Sequence, residues 1–338
     1  MKTNFPVCCC FLIGILGTIA APDIPAQSSQ EVVLDEAEAV LNILDKRVAG
    51  VEPAESDWQR LWASEGYVRL KQRQESSGAE NLDERFREYL ESDEPLGRTA
   101  ELREALAKWR SIDVTAAGER AMAYLPADTR IRATIYPVIK RTTNSFVFEL
   151  LTDPAIFMYV DPDQTAAKLE NTLAHELHHV GIASCFDPAG IDTLGPAQQQ
   201  VVERLSAFGE GFAMLAGAGG SHVHPHATSE QEEWVVWERD VANFGRDLPR
   251  IEAFFQSVLS GTLPEAEQRA AMSTFINTDD VPQGAFYTVG WKMAAMVERT
   301  HGREQVVRAV CDPRILLHTY NEIAGAHTRS DGASLPLW

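Results

Sequence analysis

His175-Glu176-Leu177-His178-His179 is the stretch from which the rest of this 338-residue chain can be read. It fits the pattern His-Glu-x-x-His. On a helix the four-residue spacing stacks His175 and His179 on one face. Two neutral imidazoles so placed can bind one Zn²⁺, which takes nitrogen, sulfur and oxygen ligands in tetrahedral sites. Glu176 lies about 100° round the helix from His175. It can therefore reach a water at the metal without being a ligand, which is the place of a general base. Upstream, Asp161-Pro162-Asp163-Gln164 predicts the helix start: Asp161 as N-cap, Pro162 at the first helical position, Gln164 closing a capping box. Gly181 predicts the stop. Between them Leu169, Leu173, Leu177 and Val180 make one apolar stripe, and His175 and His179 fall on roughly the opposite side. A pair of core histidines would share that stripe. This pair does not, which favours a metal site.

The chain is long enough for one large domain or two smaller ones, and 45% hydrophobic residues can fill a sizeable core. The formal net charge of -19 disfavours nucleic acid and anionic lipid as partners. Residues 1–26 read as a secretory signal. Lys2 is the charged start, an apolar run follows from Val7 to Ala20, and Thr18-Ile19-Ala20 and Ile24-Pro25-Ala26 both offer a cleavage site. Cys8, Cys9 and Cys10 sit at the start of the apolar run, whereas a lipid-attachment cysteine follows it. No later stretch is long and apolar enough to span a bilayer. The mature chain is expected to be exported, periplasmic or secreted, with no membrane span. It keeps two cysteines, Cys185 and Cys311, and an even count in an oxidising compartment predicts a disulfide.

Taken in order, residues 21–30 read as a tether. Residues 31–124 carry helical periodicity, with one helix expected over 57–74 and Val114 to Tyr124 as the last. The period then changes. Ile131, Ala133 and Ile135 alternate with Arg132, Thr134 and Tyr136, which predicts a strand; 146–151 and 155–160 predict two more. Residues 198–216 predict one long helix ending in Gly217-Ala218-Gly219-Gly220. The tract His222-Val223-His224-Pro225-His226 reads as a solvated loop rather than a second metal site, because alternate histidines need not converge. Helices are expected over 230–244, 248–259, 265–276, 284–301 and 303–310. The layout is α+β, mostly helical, with a small sheet before the metal helix.

A zinc site that does chemistry needs a third protein ligand and an open position. Glu203 and Glu210 share a face of the expected 198–216 helix, so spacing alone does not choose between them. Gly209 and Gly211 flank Glu210 and would let that helix approach the metal helix closely, which favours Glu210. Glu203 would then orient a ligand histidine from behind.

His-Glu-x-x-His followed on a later helix by Glu210-Gly211-Phe212-Ala213 resembles the gluzincin group of zinc metallopeptidases. The resemblance implies a zincin-like fold and Zn²⁺ on His175, His179 and Glu210. Tyr287-Thr288-Val289-Gly290 is similar to the Tyr-x-x-Gly element of aminopeptidase-like gluzincins, which implies Tyr287 as donor to the transition-state oxyanion. The alternative reading of Tyr287 is a packed aromatic at a helix start. The metzincins' third histidine would fall at position 185, which is Cys. The layout from Ile131 to Cys311 also resembles exported bacterial zinc-dependent peptidases of unassigned substrate. The regions expected are a signal peptide (1–26), an N-terminal helical region (31–125), a zincin-like catalytic region (126–312) and a C-terminal tail (313–338).

The leading expectation is hydrolysis of a peptide bond, with a peptide or protein as partner, Glu176 as general base and an edge strand, 146–151 or 155–160, aligning the substrate. The rivals are a non-catalytic exported zinc-binding protein and a zinc hydrolase of non-peptide amides or esters.

Overall fold

In the computed structural model of the chain, the described residues are 29–185, 189–278, 281 and 283–326. The expected signal segment lies outside them. They fall into two compact units.

One unit comprises residues 29–111 and 130–163. Its elements are β1 (Ser29–Val32), α1 (Asp35–Val48), α2 (Glu55–Trp62), α3 (Glu65–Ser76), α4 (Leu82–Glu91), α5 (Asp93–Leu96) and α6 (Thr99–Trp109), then β2 (Arg132–Val138), β3 (Phe146–Phe148) and β4 (Ala155–Tyr159). The sheet order is β1-β2-β4-β3. β1 and β4 run parallel to β2, with Thr134 opposite Ala155 and Val138 opposite Tyr159, and β3 is antiparallel to β4. Leu70 of α3 closes a core with Tyr136, Val138, Phe146, Ala155 and Phe157.

Three expectations change here. β1 begins inside the segment read as a tether. Ser29-Gln30-Glu31-Val32 has no apolar alternation, and its pairing rests on the backbone: Ser29 N–H donates to the Ile131 carbonyl and Val33 N–H to that of Ile135. β4 is an internal strand, buried along its whole length, so it offers no free edge; β3 does. The helix expected over 57–74 is two helices. The Asp35 carboxylate, from α1, accepts the Glu65 and Gly66 N–H groups (2.5 and 3.1 Å) and so caps a new helix start.

The second unit comprises residues 112–129 and the described residues from 164 onward. It holds α7 (Val114–Met122), α8 (Ala166–Cys185), α9 (Ala189–Asp192), α10 (Pro196–Leu205), a 3₁₀ turn (Ser206–Phe208), α11 (Gly209–Ala218), α12 (Gln231–Ala242), α13 (Phe244–Leu259), α14 (Glu265–Ile276), α15 (Ala285–His301), α16 (Arg303–Val310) and α17 (Pro313–Ala326). α8 carries His175 and His179. It is capped by Thr165, whose hydroxyl accepts the Lys168 N–H, and not by Asp161, which closes a turn onto the Asp163 N–H instead. Gly181 does not end the helix. A side chain there would meet Leu125 Cδ1 at 2.1 Å, so the glycine makes room for a neighbour. Every residue from Leu173 to Ile182 is buried.

Residues 313–326 of the expected tail form α17, which buries Leu316, Tyr320 and Ile323 and packs on α15 and α16. Its pattern is helical, and only its position at the chain's end argued for a tail. Cys185, the last residue of α8, is bonded to Cys311 at the end of α16, with Cα atoms 5.5 Å apart. The bridge closes a loop spanning a sequence separation of 126 and containing Glu210 and Tyr287. Reducing and alkylating it should lower the unfolding free energy by about 2–4 kcal/mol, read by denaturant titration. Native, unreduced chain in which Cys185 and Cys311 can be alkylated would contradict the bridge.

Candidate metal centre

The metal helix and the helix carrying the third candidate ligand meet through small residues. A Cβ on Gly217 of α11 would lie 2.9 Å from the Asn171 carbonyl and 3.5 Å from the His175 backbone nitrogen. Gly209 faces Ile182 and the His179 ring. Glu210 is the second residue of α11 and is buried. Its carboxylate reaches both imidazoles: Oε2 lies 3.3 Å from His175 Nε2 and 3.1 Å from His179 Nε2, and the two nitrogens are 3.1 Å apart. Among the described residues, this is the one group of three His, Cys, Asp or Glu donors close enough to hold a metal ion.

The donor set fits zinc. Ligand atoms at zinc distances on a tetrahedron lie about 3.3 Å from one another, close to the triangle observed. Protons fit it less well. Each Nε2 carries at most one hydrogen, so two protons serve at most two of the three contacts. A single cation at the centre serves all three.

Glu176 is buried with Oε2 lacking a hydrogen-bond partner. Burial raises its pKa, His175 and His179 pull it back, and Glu210 raises it further. Glu210 is also buried, yet the two imidazoles hold its carboxyl far below the usual carboxylate range. Burial works against a charge on His179, but Glu210 outweighs it and the pKa is raised. His178 points elsewhere. Its Nε2–H donates to the Tyr124 carbonyl (3.3 Å), and burial, with His179 adding to it, pushes its pKa down to about 3, so it stays neutral.

Tyr287 is fully buried in the first turn of α15, its ring parallel to that of His175 at 6.3 Å between centroids. The Tyr-x-x-Gly spacing has a structural cause. Gly290, one turn on, touches Gly211 of α11, where a Cβ on Gly211 would lie 2.2 Å from the Trp291 nitrogen and 2.3 Å from the Gly290 carbonyl carbon. Gly211 therefore admits α15, while Gly209 and Gly217 admit α8. Of the two glycines beside Glu210, only Gly209 faces the metal helix, against the expectation for both.

Glu203 is not part of the site. The helix expected over 198–216 breaks at the 3₁₀ turn, and Glu203 is exposed on α10, so it does not orient a ligand. The histidine tract does not converge on a point, but neither is it wholly solvated. His224 stacks on Trp234 (3.5 Å, 8°) and pairs with Glu238, and buried His226 donates from Nε2 to Gln283 Oε1 (2.7 Å). Gly217, read as part of a helix stop, turned out to be the contact point with α8; a glycine inside the last helical turn was the only signal.

A helical unit that brings two imidazoles, a carboxylate and an unpartnered glutamate together has the outline of a zinc-dependent hydrolase. Residues 58–328 match the model of the family described as "Putative zinc dependent peptidase (DUF5700)", and the chain belongs to that family. No curated protein and no solved structure matches.

Gly211→Ala should cost about 1–3 kcal/mol in unfolding free energy, because backbone rather than a movable side chain blocks the added methyl. A neutral or stabilising result would mean that the α11–α15 contact is looser than described. The raised His179 pKa gives a pH dependence. Zinc requires the neutral ring, so zinc affinity should fall as pH drops through that pKa, beginning above the ordinary 6.5. Competition titrations with a chelator of known pH behaviour measure this; a flat profile between pH 6 and 8 would contradict it.

Proposed function

We propose that the chain is a zinc metallopeptidase of the gluzincin type, with a zincin-like arrangement and Glu176 as general base. The observation that carries the reading is the convergence of His175, His179 and Glu210 beside a buried carboxylate oxygen with no protein partner. A purely structural zinc site is closed by four protein ligands and has no use for Glu176. Here three donors converge.

Zinc held by His175, His179 and Glu210 would supply a Lewis acid that polarises the scissile carbonyl and acidifies a water. Glu176 takes the proton of the attacking water and delivers it to the leaving amine. Its environment suits both halves: burial favours the protonated carboxyl, and nearby positive charge favours the carboxylate. His175 and His179 lie in the stretch 173–182 of α8, every residue of which is buried. Tyr287 donates its phenolic hydrogen to the oxyanion, a role supported by its place against His175. The substrate is a peptide or protein. Export is supported by the Cys185–Cys311 bridge, since such bonds persist in oxidising compartments. No helix of the described residues is long and apolar enough to cross a membrane.

Purified chain should hold about one zinc and cleave members of a peptide library. Glu176→Gln should keep the metal and lose roughly 10²–10⁴-fold in turnover. Glu210→Ala should lose most of the zinc, and Glu203→Ala should keep it. Zinc with no cleavage of any library peptide would leave a zinc-binding interaction protein, and loss of zinc in Glu176→Gln would make Glu176 a ligand or prop.

A further inference from the structure

We propose that Arg120 is a positioning residue for the metal triad: its guanidinium ties α7 to both ligand-bearing helices and sets the register in which Glu210 meets His175 and His179. This rests on the zinc reading above.

The last carbonyls of a helix have no intrahelical partner. Those of Leu215 and Ala216 are taken by the Gly220 and Gly219 N–H groups. The Gly217 carbonyl is taken by Arg120 Nη1 at 3.2 Å, and a cation at a helix C-terminus is favourable. The same Nη1 donates to Asn171 Oδ1 on α8. It has two hydrogens, one for each helix. Asn171 is held in turn, because its Nδ2 donates to the Thr228 hydroxyl at 3.0 Å, which leaves Oδ1 turned to Arg120. Arg120 Nη2 also lies 3.8 Å from Glu170 of α8.

The place of this tie matters. Gly217 is where α11 comes closest to α8, against the Asn171 carbonyl and the His175 nitrogen. Asn171 is one turn before His175, and Gly217 is two turns after Glu210 on the same face of α11, about 10 Å along the axis. Glycine at the contact permits close approach but does not choose a register, since a surface without side chains can slide. Arg120 supplies the missing constraint. It fastens a backbone atom of one helix to a side chain of the other at the pivot, and a ligand carboxylate two turns away tolerates only a few tenths of an ångström of error.

The test compares zinc affinity in the full chain, by chelator competition, with the unfolding midpoint of the same metal-free protein and the visible spectrum of its Co²⁺ form. Arg120→Ala should weaken zinc roughly 10–100-fold and alter the Co²⁺ bands, and Arg120→Lys should recover part of both. In a Glu210→Ala background only α8 supplies ligands, so Arg120→Ala should there change affinity less than about twofold. A residue that merely stabilises the fold would weaken zinc equally in both backgrounds, and that result overturns the proposal. So does unchanged zinc affinity in Arg120→Ala. Should Arg120→Ala fail to fold, Arg120→Lys and Asn171→Ala carry the same comparison, and unchanged affinity in both overturns it. If the unsubstituted chain binds no zinc, the zinc reading itself has failed, and this proposal falls with it.

Discussion

The structure depends on one demand: a carboxylate from one helix must meet two imidazole nitrogens from another inside the protein. A lone buried carboxylate is costly, and so is a lone buried imidazolium. Together they compensate, which is why Glu210 stays ionised although it is buried, and why the pKa of His179 rises although burial opposes it. The compensation holds over about 3 Å and fades quickly beyond it, so the two helices cannot pack at an ordinary interaxial distance with side chains between them. They must touch.

Glycine is the means. Gly217 brings α11 onto α8, and Gly211 with Gly290 brings α15 onto α11, which carries Tyr287 to the His175 ring. Glycine within a helix costs roughly a kcal/mol against alanine, and at Gly211, Gly217 and Gly290 a neighbouring backbone or side chain occupies the space a Cβ would need. The contacts they permit are backbone to backbone, with little side-chain shape to set a register. At the α8–α11 contact the Arg120 bonds to Asn171 and Gly217 span the two helices, while the Cys185–Cys311 bridge and the His178 bond to the Tyr124 carbonyl hold α8 to other parts of the unit.

Glu176 stands apart from this compensation. It is as buried as Glu210 but has a free oxygen and a pKa moved in the opposite direction. Two carboxylates in one site with pKa values moved in opposite directions would suit a metal ligand and a base under the proposed hydrolase reading.

The pairing of His175 and His179 on one helix face was legible in the sequence because it is local. His175, Glu176 and His179 lie within one turn and a half of helix, and helical geometry alone aims them. The disulfide was legible for another reason: of the five cysteines, only Cys185 and Cys311 lie beyond the expected signal segment, and two allow one pairing. Glu210, not Glu203, lies beside the two imidazoles, but the flanking glycines play only half the expected part: Gly209 faces the metal helix and Gly211 faces α15. What the sequence could not supply is anything carried by contacts between distant residues. The break between α2 and α3 comes from Asp35, some thirty residues earlier. The strand at Ser29–Val32 exists through backbone bonds to β2, about a hundred residues on. The removal of Glu203 from the site follows from a 3₁₀ turn that periodicity did not reveal. Spacing along a helix is written into the chain by the 3.6-residue repeat; which helices may touch, and in what register, is decided only when the whole unit has packed.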